Sequence, residues 1–282
     1  MGSWDQSRSI FMATGEYVIA SDENLAISIG PWAKEKLYYI KRFCDIFNTG
    51  MKNRWTVRTY IELFAGPGIC IVERTGEEIM GSPLVALNSS TPFTHYFFND
   101  INANSIEALK TRAEKFELSE KEYFTNDCNL VIDKLLPQLP RNSLDFCFID
   151  PFNWEIEFES IRRLTENRRM DLAITFHVGN MKRVAENPPA ELLHFFPDKT
   201  WISEYQNARE KRKSTGRALL DAYERGLSQL GYLAIKDYVL EVNSNNVPLY
   251  HMVFASKSTR GTDFWDKIAS RSEAGQIRMF VY

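Results

Sequence analysis

Residues 60–68 read YIELFAGPG, a β-prone apolar run with one acid inside it, closed by two glycines around a proline. A glycine turn directly after a strand lets a nucleotide-like ligand approach the backbone, because glycine carries no Cβ. The residues that follow decide which ligand. A phosphate-cradling loop needs GxxxxGK followed by Ser or Thr, and no Lys-Ser or Lys-Thr follows these glycines. A dinucleotide fingerprint needs GxGxxG, and Ile71 stands where the third glycine belongs. S-adenosyl-L-methionine (SAM) asks for less. It has no phosphate, so Gly66 and Gly68, with Phe64 and Ala65 beside them, need only admit the ligand to the backbone. Glu62 is placed to hold its ammonium, directly or through water. By itself the turn reads equally well as an ordinary strand-to-helix connection.

The surrounding pattern narrows the choice. Strands are expected at 57–63, 95–99, 122–125, 144–149 and 170–176, with helices near 82–90, 102–116, 128–137 and 157–167. Near-continuously apolar strands separated by helices indicate a parallel sheet covered on both faces. One long helix is expected from about 204 to 230. Two extended runs, YLAIKDYVLEV and PLYHMVFASK, then flank NSNN as an antiparallel hairpin. Five parallel strands followed by a terminal hairpin is the element order of the class I SAM methyltransferase fold, an α/β, Rossmann-like architecture. Ahead of it, PWAKEKLYYIKRFCDIFNTG (31–50) places Leu37, Ile40, Phe43, Cys44 and Phe47 on one helical stripe, with Gly50 as its stop. The expected organisation is an N-terminal helical extension over 1–55 and a methyltransferase-like domain over 56–282.

Acids at the ends of the next two strands fit the same ligand. Asp100, with Ile101 beside it, can accept both ribose hydroxyls of an adenosine. Asp127 can take the adenine amino hydrogens while Asn126 and Cys128 line the ring. Each acid alone is a natural helix cap; together with Glu62 they converge on the crevice at the carboxyl ends of adjacent strands. The glycine turn and Asp100 are further apart than the usual spacing of ~20 residues. The extra segment, CIVERTGEEIMGSP, is expected as a long loop over the ligand's amino-acid end, or as surface decoration, with Ser82 capping the following helix and lining the site.

The fourth strand ends FCFIDPFNWE. Asp-Pro-aromatic at this place resembles the (D/N)PP(Y/F) motif of methyltransferases that act on exocyclic base amines. Such an amine is a weak nucleophile because its lone pair is delocalised into the ring. Asp150 and the Pro151 carbonyl would accept its two hydrogens, Phe152 would stack the base, and Asn153 would add a polar contact. A base must leave its duplex stack to enter such a pocket. The second proline of the motif is missing, which leaves the target atom open. His177 ends the fifth strand and carries no assigned role.

The totals are those of an ordinary globular chain with a net charge of −3, which argues against a protein that coats nucleic acid non-specifically. No run reaches the roughly eighteen apolar residues a membrane span needs, and the first residues lack a secretory pattern. Four scattered cysteines without CxxC spacing argue against a zinc site or a disulfide framework and fit a reducing cytoplasm. Local positive charge gathers in REKRKSTGR (209–217) and in RRLTENRR (162–169). Arg209, Lys211, Arg212, Lys213 and Arg217 are the candidate phosphate contacts for DNA or RNA.

GPWAKEKLYYIKRF, MKNRW, YIELFAGPG, GSPLVAL, FIDPF and RGTDFWDKI together resemble the three-Cys-motif partner proteins, a bacterial family with a methyltransferase-like domain. The resemblance spans most of the chain. It implies a SAM-type fold, a three-Cys-motif protein as functional partner, and SAM-site roles for Glu62, Gly66, Gly68, Asp100, Asp127 and Asp150. It names no substrate. The expected function is a cytoplasmic SAM-dependent methyltransferase of an exocyclic base amine, adenine N6-like in its chemistry. Two alternatives stand: a protein or small-molecule methyl acceptor, and a non-catalytic SAM- or nucleotide-binding adaptor that docks a partner.

Overall fold

The computed structural model describes residues 15–117, 119–242 and 247–269. Two short strands, β1 (Tyr17–Ile19) and β2 (Leu25–Ile29), lead into helix α1 (Ala33–Met51) and the first central strand β3 (Arg58–Glu62). A hairpin, β4 (Ile69–Val72) and β5 (Glu78–Met80), precedes α2 (Ser82–Leu87). The alternation continues with β6 (His95–Asp100), α3 (Ala103–Ala113), β7 (Glu120–Thr125), α4 (Ile132–Leu135), β8 (Leu144–Ile149), α5 (Phe158–Thr165) and β9 (Met170–Phe176). Four helices follow, α6 (Val178–Val184), α7 (Ala190–Phe195), α8 (Thr200–Glu210) and α9 (Thr215–Gln229). The described chain ends with β10 (Ala234–Val242), β11 (Pro248–Ser256) and α10 (Arg260–Ala269).

The main sheet runs β10-β11-β9-β8-β3-β6-β7. Pairings among β3, β6, β7, β8 and β9 are parallel, and β11 is antiparallel to both β9 and β10. The expected parallel sheet and closing antiparallel pair are therefore present; the NSNN turn lies outside the described residues. Strand residues alternate between two cores. Ile61, Cys147 and Ile149 pack with α4, α5 and the helices after β9, whereas Tyr60, Phe146 and Phe148 pack with α1, α2, α3 and α10. This is a doubly wound sheet with one core on each face.

The N-terminal segment departs from a purely helical reading. Its residues 17–19 and 25–29 form strands, and β2 pairs in parallel with β4. The segment expected as a loop between the glycine turn and α2 is thus an ordered hairpin, held in a second sheet of order β1-β2-β4-β5. Helix α1 lies in the core: Phe43 meets Phe146 with ring centroids 4.1 Å apart and Phe254 at 5.3 Å. It runs one residue past Gly50 to Met51. The single helix expected over 204–230 is broken between α8 and α9. Arg212 there takes a left-handed φ of 54°, and Ser214 caps α9 by accepting from the Arg217 N–H.

Arg112 of α3 ties the two sheets together. Its Nη1 donates to the carbonyls of Leu25 and Pro67 (2.6 Å each), and its Nε and Nη2 donate to the Asp22 carboxylate (2.7 Å each). One guanidinium therefore fixes the N-terminal strand pair against the glycine turn. The Arg112 bond holds the Asp22 carboxyl at about 2, below its ordinary 3.8. A lowered folded-state value stabilises above the unfolded value and loses that effect as pH falls through the folded one. The melting-temperature gap between the native chain and Asp22→Asn should be constant above about pH 5 and close between about pH 4 and pH 2. A gap that persists to the acid end would mean that the Asp22 charge contributes nothing.

Candidate functional site

A cavity of about 530 Å³ opens over the carboxyl ends of the central strands. That volume falls within the roughly 300–1,000 Å³ of small-molecule sites. The glycine turn forms one part of its wall. Gly66 and Gly68 adopt φ of +60° and +86°, the left-handed region that glycine enters without strain. They differ in surroundings. A Cβ on Gly66 would meet nothing within 4 Å, whereas one on Gly68 would stand 2.9 Å from Leu109 Cδ1 and 3.1 Å from Leu84 Cγ. Gly66 thus opens the cavity wall, and Gly68 lets α2 and α3 close behind it.

Asp100, at the end of β6, is bonded to that turn. Its Oδ2 accepts from the Gly66 N–H and its Oδ1 from the Asn102 N–H, both at 2.8 Å. Burial pushes its carboxyl pKa up, against the pull of these two bonds. Each oxygen keeps acceptor capacity for a ligand hydroxyl. Phe64, Ala65, Ile101, Asn126, Asp127 and Cys128 line the same cavity. Asp127 Oδ1 also performs the cap role, accepting from the N–H groups of Asn129 and Leu130 at 2.8 and 3.3 Å. Cys70 and Cys128 line the cavity too, but burial pushes both thiols up to about 12. Neither offers a thiolate nucleophile near neutral pH.

Two expected ligand contacts stand behind the wall. Glu62 is fully buried; its Oε2 accepts from the Tyr60 hydroxyl (2.9 Å) and its Oε1 from the Ser82 hydroxyl (2.5 Å). Burial, supplemented by the negative charge of Asp150, pushes its carboxyl well above the usual range despite those bonds. Its place in the structure is to position Ser82, which does line the cavity. Ser82 is the first residue of α2, and Gly81 holds the cap position expected for it. Asn153 is likewise off the cavity wall; its Oδ1 accepts from Asn180 Nδ2 at 2.8 Å.

On the β8–β9 side, Asp150, Pro151 and the exposed Phe152 line the cavity together with His177. Sequence reasoning did not single out three further groups there. Lys36 of α1 donates from Nζ to Asp150 Oδ2 at 2.5 Å, and the pair is nearly buried. Trp32 and Tyr250 stack with centroids 4.6 Å apart, and Lys36 Nζ lies 5.3 Å from the Trp32 ring. A signal for Lys36 did exist: it stands four residues before Ile40, on the apolar stripe of α1.

The basic stretches divide differently from expectation. Arg217 donates to the carboxylates of Asp221, Glu224 and Asp237 at 2.5–2.6 Å, so its charge is neutralised within the fold and it makes a poor phosphate contact. Arg209 pairs with Glu186 at 2.6 Å. Lys211, Arg212 and Lys213 are exposed in the break between α8 and α9. In 162–169, Arg162 pairs with Glu159 and Glu166, Arg163 with Asp133, and Arg168 with Asp145. That stretch leads into the amino end of β9, opposite the cavity.

No protein-family model matches the chain, and no curated protein matches it. Among solved structures it is similar to protein LPL1258 of Legionella pneumophila, at 11% identity and a TM-score of 0.48, over 82% of this chain and 89% of that one. An rRNA methylase of Streptococcus thermophilus gives 11% identity and 0.44, over 79% and 95% of the two chains. Cofactor-bound Rv0187 from MTB gives 10% and 0.45, over 80% and 81%. These likenesses are too loose to carry an argument about function. The fold stands on its own strand order, that of a Rossmann-like, class I methyltransferase-type sheet. Among the described residues no helix is long and apolar enough to cross a membrane.

The two glycines predict a graded effect in urea denaturation. Gly66→Ala should cost about 1–2 kcal/mol, the left-handed penalty alone. Gly68→Ala should cost about 1–3 kcal/mol more, because its methyl also overpacks Leu109 and Leu84. Equal losses would mean that α2 and α3 do not need the close approach at Gly68.

Proposed function

We propose that the chain is a SAM-dependent methyltransferase acting on an exocyclic amine of a nucleic-acid base. The observation that carries this reading is one continuous cavity with the Gly66–Asp100 bond on the β3–β6 side and Asp150 on the β8 side. The residues suit the cofactor. Gly66 leaves its wall open, Asp100 retains acceptor capacity for ribose hydroxyls, and Asn126, Asp127 and Cys128 offer an edge and a wall for adenine. When bound, SAM supplies an electrophilic methyl group.

The remaining work falls to the chain's own side chains. Lys36 occupies Asp150 Oδ2 and leaves Oδ1 to accept a hydrogen from the target amine. Phe152, 41% exposed, offers its ring face for stacking a base, worth about 1–3 kcal/mol. Lys211, Arg212 and Lys213 lie near the start of α6, since a Cβ on nearby Gly216 would stand 3.1 Å from Val178 Cγ2. In this reading they would meet phosphates of a strand whose base enters the cavity.

Titration with SAM and labelled methyl transfer to single-stranded RNA and DNA test the reading together. Asp100→Ala should weaken SAM binding roughly tenfold or more, the loss of a buried charged hydrogen-bond acceptor. Asp150→Ala should abolish transfer while leaving SAM affinity within about threefold. Comparable loss of binding and transfer in Asp150→Ala would make Asp150 a cofactor or structural residue. Label appearing in protein rather than nucleic acid would sink the base-amine acceptor.

A further inference from the structure

His177 is the polar group at this site whose hydrogen bonds are unaccounted for. It follows β9, stands at the N-terminal boundary of α6 without a side-chain capping bond, lines the cavity, and is 6% exposed. Its ring meets Tyr250 edge to face at 4.8 Å. Neither ring nitrogen has a hydrogen-bond partner of ordinary geometry, although the Pro151 carbonyl lies close. A buried polar group left in that state calls for an explanation, because leaving one without a partner is costly.

The neighbours restrict what could satisfy it. Asp150 and Lys36 neutralise each other at 2.5 Å. Burial, with Lys36 adding to it and Asp150 opposing, lowers the His177 pKa to about 4, so the imidazole is neutral at physiological pH. Asp150, Lys36 and His177 therefore carry no net charge among themselves, while the Glu155 carboxylate, which also lines the cavity, is exposed; the buried part of this wall thus offers an ammonium or carboxylate no counter-charge. A neutral imidazole offers one N–H donor and one acceptor nitrogen, and Asp150 offers a free acceptor oxygen beside it. A flat, uncharged group with two adjacent polar atoms matches that pair, and the Phe152 ring supplies the stacking face.

We propose that His177 hydrogen-bonds the ring nitrogen adjacent to the target amine, so that Asp150 and His177 together read the neutral N–C–NH2 edge of an aminated base. The proposal rests on the base-amine reading above and narrows it. Adenine, cytosine and guanine carry such an edge; uracil and thymine do not, and neither does a lysine side chain. His177 is thus a specificity residue that touches the acceptor, while Lys36 acts through Asp150 as a positioning residue.

The test titrates AMP, CMP, GMP and UMP into protein saturated with S-adenosylhomocysteine, whose own isotherm reports cofactor binding separately. At least one amine-bearing nucleotide should bind about tenfold or more tightly than UMP, the worth of one well-placed hydrogen bond to a buried group. His177→Phe, which keeps an aromatic ring against Tyr250, should lose about tenfold in that affinity with S-adenosylhomocysteine binding unchanged. His177→Gln, which keeps a donor and an acceptor, should recover part of the loss. Unchanged nucleotide affinity in His177→Phe would overturn the role of His177 and leave the base-amine reading standing. UMP binding as well as the others, or no nucleotide binding to the cofactor-loaded protein, would overturn both.

Discussion

Strand order reverses at β3, and that reversal constrains everything around it. From β3 the chain crosses through α2 and α3 to β6 and β7 on one side, then through α4 and α5 to β8 and β9 on the other. Right-handed crossovers in opposite directions place α2 and α3 on one face of the sheet and α4 and α5 on the other. The connections leaving β3 and β8 therefore diverge, and a crevice opens at their carboxyl ends. Asp100 and Asp127 reach it from one side, Asp150 and His177 from the other. Each is anchored at the end of a rigid strand, the placement that holds a site most accurately.

Charge at the site is balanced by an element from far away in sequence. Asp150 belongs to β8, but its partner Lys36 comes from α1, 114 residues earlier. Burying a lone carboxylate is expensive, and pairing it with an ammonium offsets much of the cost. The pairing also orients the acid, since one oxygen is occupied and the other is left to work. Glu62 shows the same logic with neutral partners: Tyr60 and Ser82 satisfy a carboxyl that burial has made hard to ionise. The two acids look interchangeable on paper and differ in what surrounds them.

Much of the sheet was legible because buried parallel strands are continuous apolar runs; LDFCFI and MDLAITF coincide with β8 and β9 residue for residue. The acids at strand ends were legible for the same reason, since a strand's end fixes where its next residue stands. What escaped depends on distant pairing. EYVIASDENLAISIG carries only short, mixed runs, and β2 is a strand because β4, some forty residues on, supplies its partner. Ser82 looks like a helix cap until Glu62 is seen beneath it. Arg217 looks like a free cation until three carboxylates from α9 and β10 surround it. Lys36 was marked only by its place on the apolar stripe of α1, and His177 needed burial, which no local pattern states.

The position of α1 has a consequence for how the chain reaches this structure. The apolar stripe of the first helix is covered by Phe146 of β8, Phe254 of β11 and Trp265 of α10, whose ring stacks on Phe254 at 4.7 Å. During synthesis α1 emerges long before those partners exist, and its contacts with Trp265 span more than two hundred residues. Contacts of such sequence separation are made late and slowly, because loop closure must come first. Until β11 and α10 leave the ribosome, Phe43 lacks the part of its cover that Phe254 and Trp265 supply, and Tyr250 is missing from the cavity wall. The cavity thus matures with the last elements to be made, although its glycine turn is among the first.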